Sequence, residues 1–366
     1  MYIHLLNDTK FARSEIAVFE KNYPDQSLYV FTSRGEKNDS LRDNLPNVPI
    51  FDIGPFDYDR LLSQCSEKVD CVLVYSASRD HVQMALSLYQ KALCKIYWMP
   101  FGMDLYDRLH YVYGYPLYDY NVVPLKIKLK KYISYHRSNR AFIEFANIID
   151  SFCFWNPNDF KLMQKYFGAK QARLRYYGHG LGWSVEGIPE FEEKNMCRVQ
   201  VNHSASFSCN HLTVLKKLER IDINKQLQVF LPLNYGEAAV KKQVKDYAIH
   251  SALKCDILTD FLPLKDYYDV VAQNGVAIFG SRRQEAGGNI NTALLNGVKL
   301  YLRNDNNLLQ LYRSWGMHVF SFEDDLNSME DLLKPLTPQQ KIYNYKTLAT
   351  HISSEVVAES MGHFFE

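Results

Sequence analysis

The feature that most limits what this chain can fold into is an alternation. Short apolar runs rich in β-branched and aromatic residues take turns with longer segments of helical period. Tyr2 to Leu6 reads as a strand, Asn7-Asp8-Thr9 as a cap, and Lys10 to Lys21 as a helix. Ser27 to Thr32 and Pro49 to Ile53 follow as strands, Asp57 to Cys65 as a helix and Cys71 to Tyr75 as a strand. His81 to Leu93 is then a helix and Lys95 to Met99 a strand. Such a series predicts an α/β fold whose parallel sheet is covered on both faces. Ligands of these sheets lie beyond the carboxyl ends of the strands. Asp8, the turn Ser76 to His81 and Gly102-Met103-Asp104 are therefore expected on one rim.

From Leu109 the pattern changes. Tyr111, Tyr113, Tyr115, Tyr118 and Tyr120 crowd a stretch with Gly114 and Pro116 that follows neither period. A basic segment follows, Lys126 to Arg140, interleaved with Leu125, Ile127, Leu129, Tyr132 and Ile133 and free of acids. That composition suits contact with an anionic membrane surface, ahead of a solvated helix face or a patch that greets an anionic ligand. Phe142 to Ile149 reads as a helix, Ser151 to Trp155 as a strand, Asp159 to Phe167 as a helix capped by Asn156, and Arg173 to Tyr177 as a strand. The expected organisation is a first domain over 1–178 and a linker over 179–196 carrying glycines, prolines and Glu190-Phe191-Glu192-Glu193. A second strand-helix series spans 197–335, and a helical tail 336–366.

Within the second series, Gly280 to Leu302 most plainly prepares to hold an anion. The apolar run Val276 to Phe279 precedes it, and a helix signalled by Ile290, Ala293 and Leu294 follows, stopped by Gly297. Between them lie Arg282, Arg283, Gln284, Glu285 and the pair Gly287-Gly288. Glycines let backbone N–H groups approach a ligand, and the first helical turn adds unpaired donors and partial positive charge. The motif suits a diphosphate, with Arg282 or Arg283 as counter-charge. It could also be a plain strand-to-helix bend, since it is neither a Walker loop nor GxGxxG. Two further loops are expected beside it, Asn202 to Asn210 and Leu233-Asn234-Tyr235-Gly236.

Global composition narrows the classes. A net charge of +1 points to no nucleic-acid partner. Seven scattered cysteines without a CxxC pair read as free thiols of a reducing cytoplasm. No apolar run approaches the ~18 residues that span a bilayer, and Met1-Tyr2-Ile3-His4 reads as a strand rather than a leader. Two doubly wound, Rossmann-like domains joined by a linker are expected to face a cleft, which suits a transfer reaction. No DxD-like acidic pair is placed to hold a metal, so a leaving diphosphate would rest on backbone, arginine and helix dipole.

Four segments carry a family resemblance: NHSAS with CNHLTVLKKL between Asn202 and Leu218, PLNYG at Pro232 to Gly236, FGMDLYD at Phe101 to Asp107, and RRQEAGGNINTALLNGVKLYLRND at Arg282 to Asp305. Together they resemble the family 56 glycosyltransferases, bacterial enzymes typified by the dTDP-N-acetylfucosamine:lipid II N-acetylfucosaminyltransferase. The resemblance implies a GT-B fold and an inverting, metal-independent transfer of a deoxy-amino sugar such as N-acetylfucosamine. It also implies a dTDP- or UDP-linked donor and an undecaprenyl-diphosphate-linked saccharide acceptor at the cytoplasmic membrane face, where the protein would be peripheral. Carried onto this chain, the family's donor residues fall on Asn202, Ser204, Asn210, His211, Arg283, Gln284 and Gly288. Phe101-Gly102 stands where the family has Trp-Gly, and Glu285 and Asn289 replace other types. All of those donor residues but His211, together with Tyr235, Glu285 and Asn289, form the candidate donor site. Asp8 and Asp104 are the candidate bases, His81 a third, although Asp8 reads equally well as a helix cap. A sugar-nucleotide epimerase of the same architecture and a non-catalytic scaffold of a polysaccharide assembly complex stand beside the transferase.

Overall fold

The computed structural model describes residues 1–6, 9–31, 49–52, 61, 63, 68–120, 122–178, 182–185 and 187–366. Asp8 and nearly all of the helix expected over Asp57 to Cys65 fall outside them. The chain forms two compact units: Met1–Tyr115, Leu129–Ser184 and Ile352–Glu366 in one, Pro116–Lys128 and Val185–His351 in the other.

The first unit contains β1 (Tyr2–Leu6), α1 (Thr9–Asn22), β2 (Ser27–Phe31), β3 (Ile50–Asp52), β4 (Cys71–Tyr75) and α2 (Arg79–Ala92). It continues through β5 (Lys95–Met99), α3 (Met103–Tyr113), most of α4 (Leu125–Ala146), β6 (Ser151–Cys153), α5 (Pro157–Phe167) and β7 (Arg173–Arg175). The strands pair in parallel in the order β3-β2-β1-β4-β5-β6-β7. Every residue of β2 and β4 is buried, as a central parallel strand covered on both faces requires. The switch in strand order falls between β1 and β4, beside a turn where Ser76 takes φ 57°. Trp98 of β5 fills the far side, edge-on to Phe142, Phe145 and Phe152.

The second unit runs through β8 (Asn195–Val201), α6 (His211–Ile221), β9 (Gln228–Pro232), α7 (Ala238–His250), β10 (Lys254–Leu258), α8 (Leu264–Ala272) and β11 (Asn274–Phe279). Then come α9 (Gly287–Leu295), β12 (Lys299–Leu302), α10 (Asn307–Ser314), β13 (Phe320–Ser321), α11 (Met329–Leu333) and α12 (Pro338–Ile352), before α13 (Ser354–Gly362). Its parallel sheet has the order β10-β9-β8-β11-β12-β13. The core under it joins Val199, Val201, Leu215, Val229, Leu231, Val276 and Ile278, each wholly buried. Each such side chain contributes ~1.5–3 kcal/mol against an exposed one.

The structure departs from expectation where periodicity was masked. α3 extends to Tyr113 through the crowded tyrosines, because Leu105, Tyr106 and Leu109 supply a buried face and Gly114 ends it in the left-handed region at φ 74°. The basic segment and the helix expected after it are one element, α4. Pro116–Lys128 packs with the second unit, where Val122 and Val123 join the core. The stretch expected as a single tail is α12, which ends the second unit, and α13, which belongs to the first. There Phe365 stacks on Tyr2 at 3.6 Å and the Tyr23 hydroxyl donates to the Met361 carbonyl. No helix among the described residues is long and apolar enough to cross a membrane.

Candidate functional site

In the second sheet the strand order switches between β8 and β11, and the loops leaving these two strands must diverge there. Asn202, left-handed at φ 59°, ends β8 and accepts the Gly280 N–H on its Oδ1 at 2.8 Å, tying the two loops together. Asn210, at φ 48°, donates from Nδ2 to the carbonyls of Leu117 (3.2 Å), Ser208 (3.1 Å) and Gly280 (3.1 Å) and accepts the Asp119 N–H at 2.9 Å. Both asparagines are thus brackets that shape the rim. The third loop joins through Ala205, which donates its N–H to Tyr235 O and accepts from Glu237 N, both at 2.9 Å. Gly236 between them has φ 108°, and a Cβ there would lie 2.6 Å from the Ala205 carbonyl carbon.

Helix α9 begins at this rim. Its N-cap, Ala286, is left-handed at φ 63° and offers no side-chain cap, so the first N–H groups of the helix have no such acceptor. Gly287 faces open space, with nothing within 4 Å of a built Cβ. Gly288 lies under Tyr268, whose hydroxyl is 2.7 Å from such a Cβ. Asn289 Oδ1 accepts from Tyr267 OH and, at 3.5 Å, from Gln200 Nε2. Backbone donors, partial positive charge and room for a ligand therefore coincide at one helix end.

The charge at this rim is already paired. Arg283 Nη2 lies 2.7 Å from Glu285 Oε2, both side chains under 10% exposed, and Ser208 Oγ donates to the same oxygen at 2.9 Å. Burial pushes the Glu285 carboxyl up, but Arg283 beside it, helped by His203 and Ser208, outweighs that and holds it at about 2. A folded-state pKa below the ordinary 4.5 stabilises the fold above pH 4.5, and that stability drains away as pH falls through 2. Acid titration of unfolding should therefore show a loss on the order of 3 kcal/mol over this window. Glu285→Gln should flatten it, and an unchanged acid limb in the variant would refute the pairing.

Ser204 Oγ meets His203 Nε2 at 3.2 Å and Ser206 Oγ at 3.0 Å. The Tyr235 phenol, whose pKa burial raises, shares this corner with His203 at 6.0 Å between ring centroids. Gln284 is buried in the turn beside Arg283. His211, 3% exposed, is driven by burial down to about 3, so it is neutral and brings no charge to an anion. The rim thus gathers all nine candidate donor residues, from Asn202 to Asn289. Arg282 is turned elsewhere, to Asp119 at 2.6 Å and to Asp305. Asp119 also receives Arg303 Nη1 at 2.6 Å and the Thr213 hydroxyl at 2.6 Å. Sequence reading missed Asp119, because it arrives from the irregular tyrosine-rich stretch far from the arginines in the chain.

In the first unit Asp104 is 7% exposed. Its Oδ2 accepts from Ala77 N and Trp98 Nε1 at 2.8 Å each, and Oδ1 from Phe101 N at 3.1 Å. Burial raises its pKa against these bonds. The carboxylate pins the turn after β4 and the start of α3 to β5, which is a positioning task. His81 is wholly buried, its Nδ1 2.9 Å from Tyr75 O. Among the described residues no cluster of three or more His, Cys, Asp or Glu is placed to hold a metal ion.

No protein-family model matches the sequence, and no curated protein does. Solved structures resemble it in fold. HepE of Anabaena, in complex with UDP and glucose, superimposes with TM-score 0.67 at 12% identity, over 99% of this chain and 98% of that one. Sucrose-phosphate synthase of Thermosynechococcus elongatus gives 0.64 at 10% identity, over 100% and 98%. A protein assigned as UDP-N-acetylglucosamine 2-epimerase of Listeria monocytogenes gives 0.51 at 11%, over 98% and 93%. The two parallel doubly wound sheets and this full-length similarity make the fold GT-B.

Proposed function

We propose that the chain is a glycosyltransferase that takes a sugar from a nucleoside-diphosphate donor held on the rim of the second unit. The uncapped start of α9, with Gly287 open to a ligand at the switch point between β8 and β11, carries this reading. The UDP bound by HepE, a protein of the same fold, supports it. The diphosphate would take the N–H groups of Gly287 and Gly288. Ser204, Tyr235, Gln284 and Asn289 would meet the sugar or nucleoside, beside the Arg283–Glu285 pair. Once the bond to the sugar breaks, the helix end stabilises the departing negative charge without a metal.

The finer reading rests on the resemblance of Phe101–Asp107, Asn202–Leu218, Pro232–Gly236 and Arg282–Asp305 to the family 56 enzymes. It is an inverting transfer of a deoxy-amino sugar such as N-acetylfucosamine, from dTDP or UDP, to an undecaprenyl-diphosphate-linked saccharide at the inner face of the cytoplasmic membrane. An inverting step needs a base for the acceptor hydroxyl. With the Asp104 carboxylate committed to three donors, Asp8 is the base kept in this proposal.

A thermal-shift panel of dTDP, UDP, GDP and CMP in EDTA tests the donor site. A nucleotide at a hundredfold excess over its Kd stabilises by about 2.7 kcal/mol, which raises the melting temperature by a few degrees. One diphosphate should do so, and Gly287→Ala should weaken its effect. Silence from every nucleotide would favour the scaffold. Conversion of the donor sugar without any acceptor would favour the epimerase.

A further inference from the structure

The exposed side of α4 is built for a surface. Leu125, Leu129, Tyr132 and Ile133 are spaced so that they share one face, and they are 80, 56, 50 and 40% exposed. The opposite face is occupied. Lys131 Nζ meets Asp107 at 2.7 Å, the Tyr135 hydroxyl meets the same carboxylate, and Arg108 reaches Tyr135 O and Ser138 Oγ at 3.2 Å each. The apolar stripe is flanked by the exposed cations Lys126, Lys128, Lys130 and Arg137. From Leu125 to Arg140 there is no acid; the first, Glu144, lies a turn further on and pairs with Arg140 at 3.1 Å.

A helix that met only water would have no use for four large apolar groups in line. A protein partner of ordinary composition would offer both signs of charge, whereas this face offers one. We infer that α4 docks in the plane of an anionic bilayer, with Leu125, Leu129, Tyr132 and Ile133 entering the headgroup boundary and Lys126, Lys128, Lys130 and Arg137 resting on lipid phosphates. Lys131 takes no part, since Asp107 holds it on the protein side. The geometry stands on this helix alone, so its failure would leave the donor reading untouched.

Sedimentation with phosphatidylcholine vesicles, with and without phosphatidylglycerol, tests it on the full chain. Binding should require the anionic lipid and fall as salt rises. The triple change Lys126→Gln, Lys128→Gln, Lys130→Gln should weaken it on the order of a hundredfold. Leu129→Glu with Tyr132→Glu should abolish it, while nucleotide thermal shifts stay as in the parent. A charge-matched control, Lys242→Gln with Lys265→Gln and Lys346→Gln, should bind as the parent does. Equal loss in the control would reduce the effect to net charge and overturn the inference. So would absence of binding, or a dimer in light scattering that Leu129→Glu dissociates, which would make a second copy the occupant.

Discussion

Asp119→Ala is expected to lower the stability of the second unit by about 3–5 kcal/mol, the usual result of removing one partner from a buried ion cluster. Arg303 is 4% exposed and Arg282 24%, and Asp119 accepts from both. Burial alone would raise the Asp119 pKa, yet Arg303, Thr213 and Arg282 bring it below the ordinary carboxylate range. Without it, Arg303 keeps Glu323 and Arg282 keeps Asp305, but neither arginine is neutralised from the side of the Pro116–Lys128 segment. Urea unfolding measures the loss. Because Asp119 N and Leu117 O also bond Asn210, the variant should loosen the Asn202–Asn210 loop and weaken nucleotide binding with it. A change below about 1 kcal/mol would mean that the cluster behaves as a solvated surface network.

Gly280→Ala is the second large effect. A Cβ there would stand 2.4 Å from the Cys209 carbonyl oxygen and 2.9 Å from Val214 Cγ2. The carbonyl has little freedom to retreat, since Asn210 grips both the Ser208 and Gly280 carbonyls on either side of it. Overpacking of this kind costs roughly 3 kcal/mol and would pry β11 from the loop after β8. Gly287→Ala is the informative partner. It meets nothing within 4 Å, so stability should hold or improve slightly at a helix start. Only affinity for a nucleotide should fall, about tenfold, because the methyl group occupies the space reserved for the ligand. If both alanines behave alike in urea and in nucleotide binding, α9 does not begin at a binding site.

Much of this architecture was legible from residues alone, for identifiable reasons. β1, β4, β5, β9 and β11 are apolar runs bounded by polar turns, and their period leaves little choice. That the three loops of the candidate rim meet was legible because they lie at strand ends, where glycine, asparagine and serine signal unusual backbone. What stayed hidden was long-range. Nothing local in Asp119 announces two arginines more than 160 positions away, and nothing in Arg282 distinguishes it from Arg283 until the fold turns one toward Asp119 and the other toward Glu285. Asp104 looked like a base because acidic residues after strands often are. Its three backbone and indole donors appear only when β4, β5 and α3 are brought together.

The return of α13 to the first unit has a consequence for how the chain is made. Residues up to Ser184 emerge from the ribosome well before Ile352 to Glu366, which complete the same unit. Val357, Met361 and Phe364 belong to one buried cluster with Ile16, Phe19 and Tyr29. At ordinary elongation rates of about 5–20 residues per second, the gap of 168 positions between Ser184 and Ile352 takes roughly ten to thirty seconds. Throughout that interval, while the second unit is still being made, the flank of Tyr2, Phe19 and Tyr23 waits without its cover. The half made first is therefore finished last.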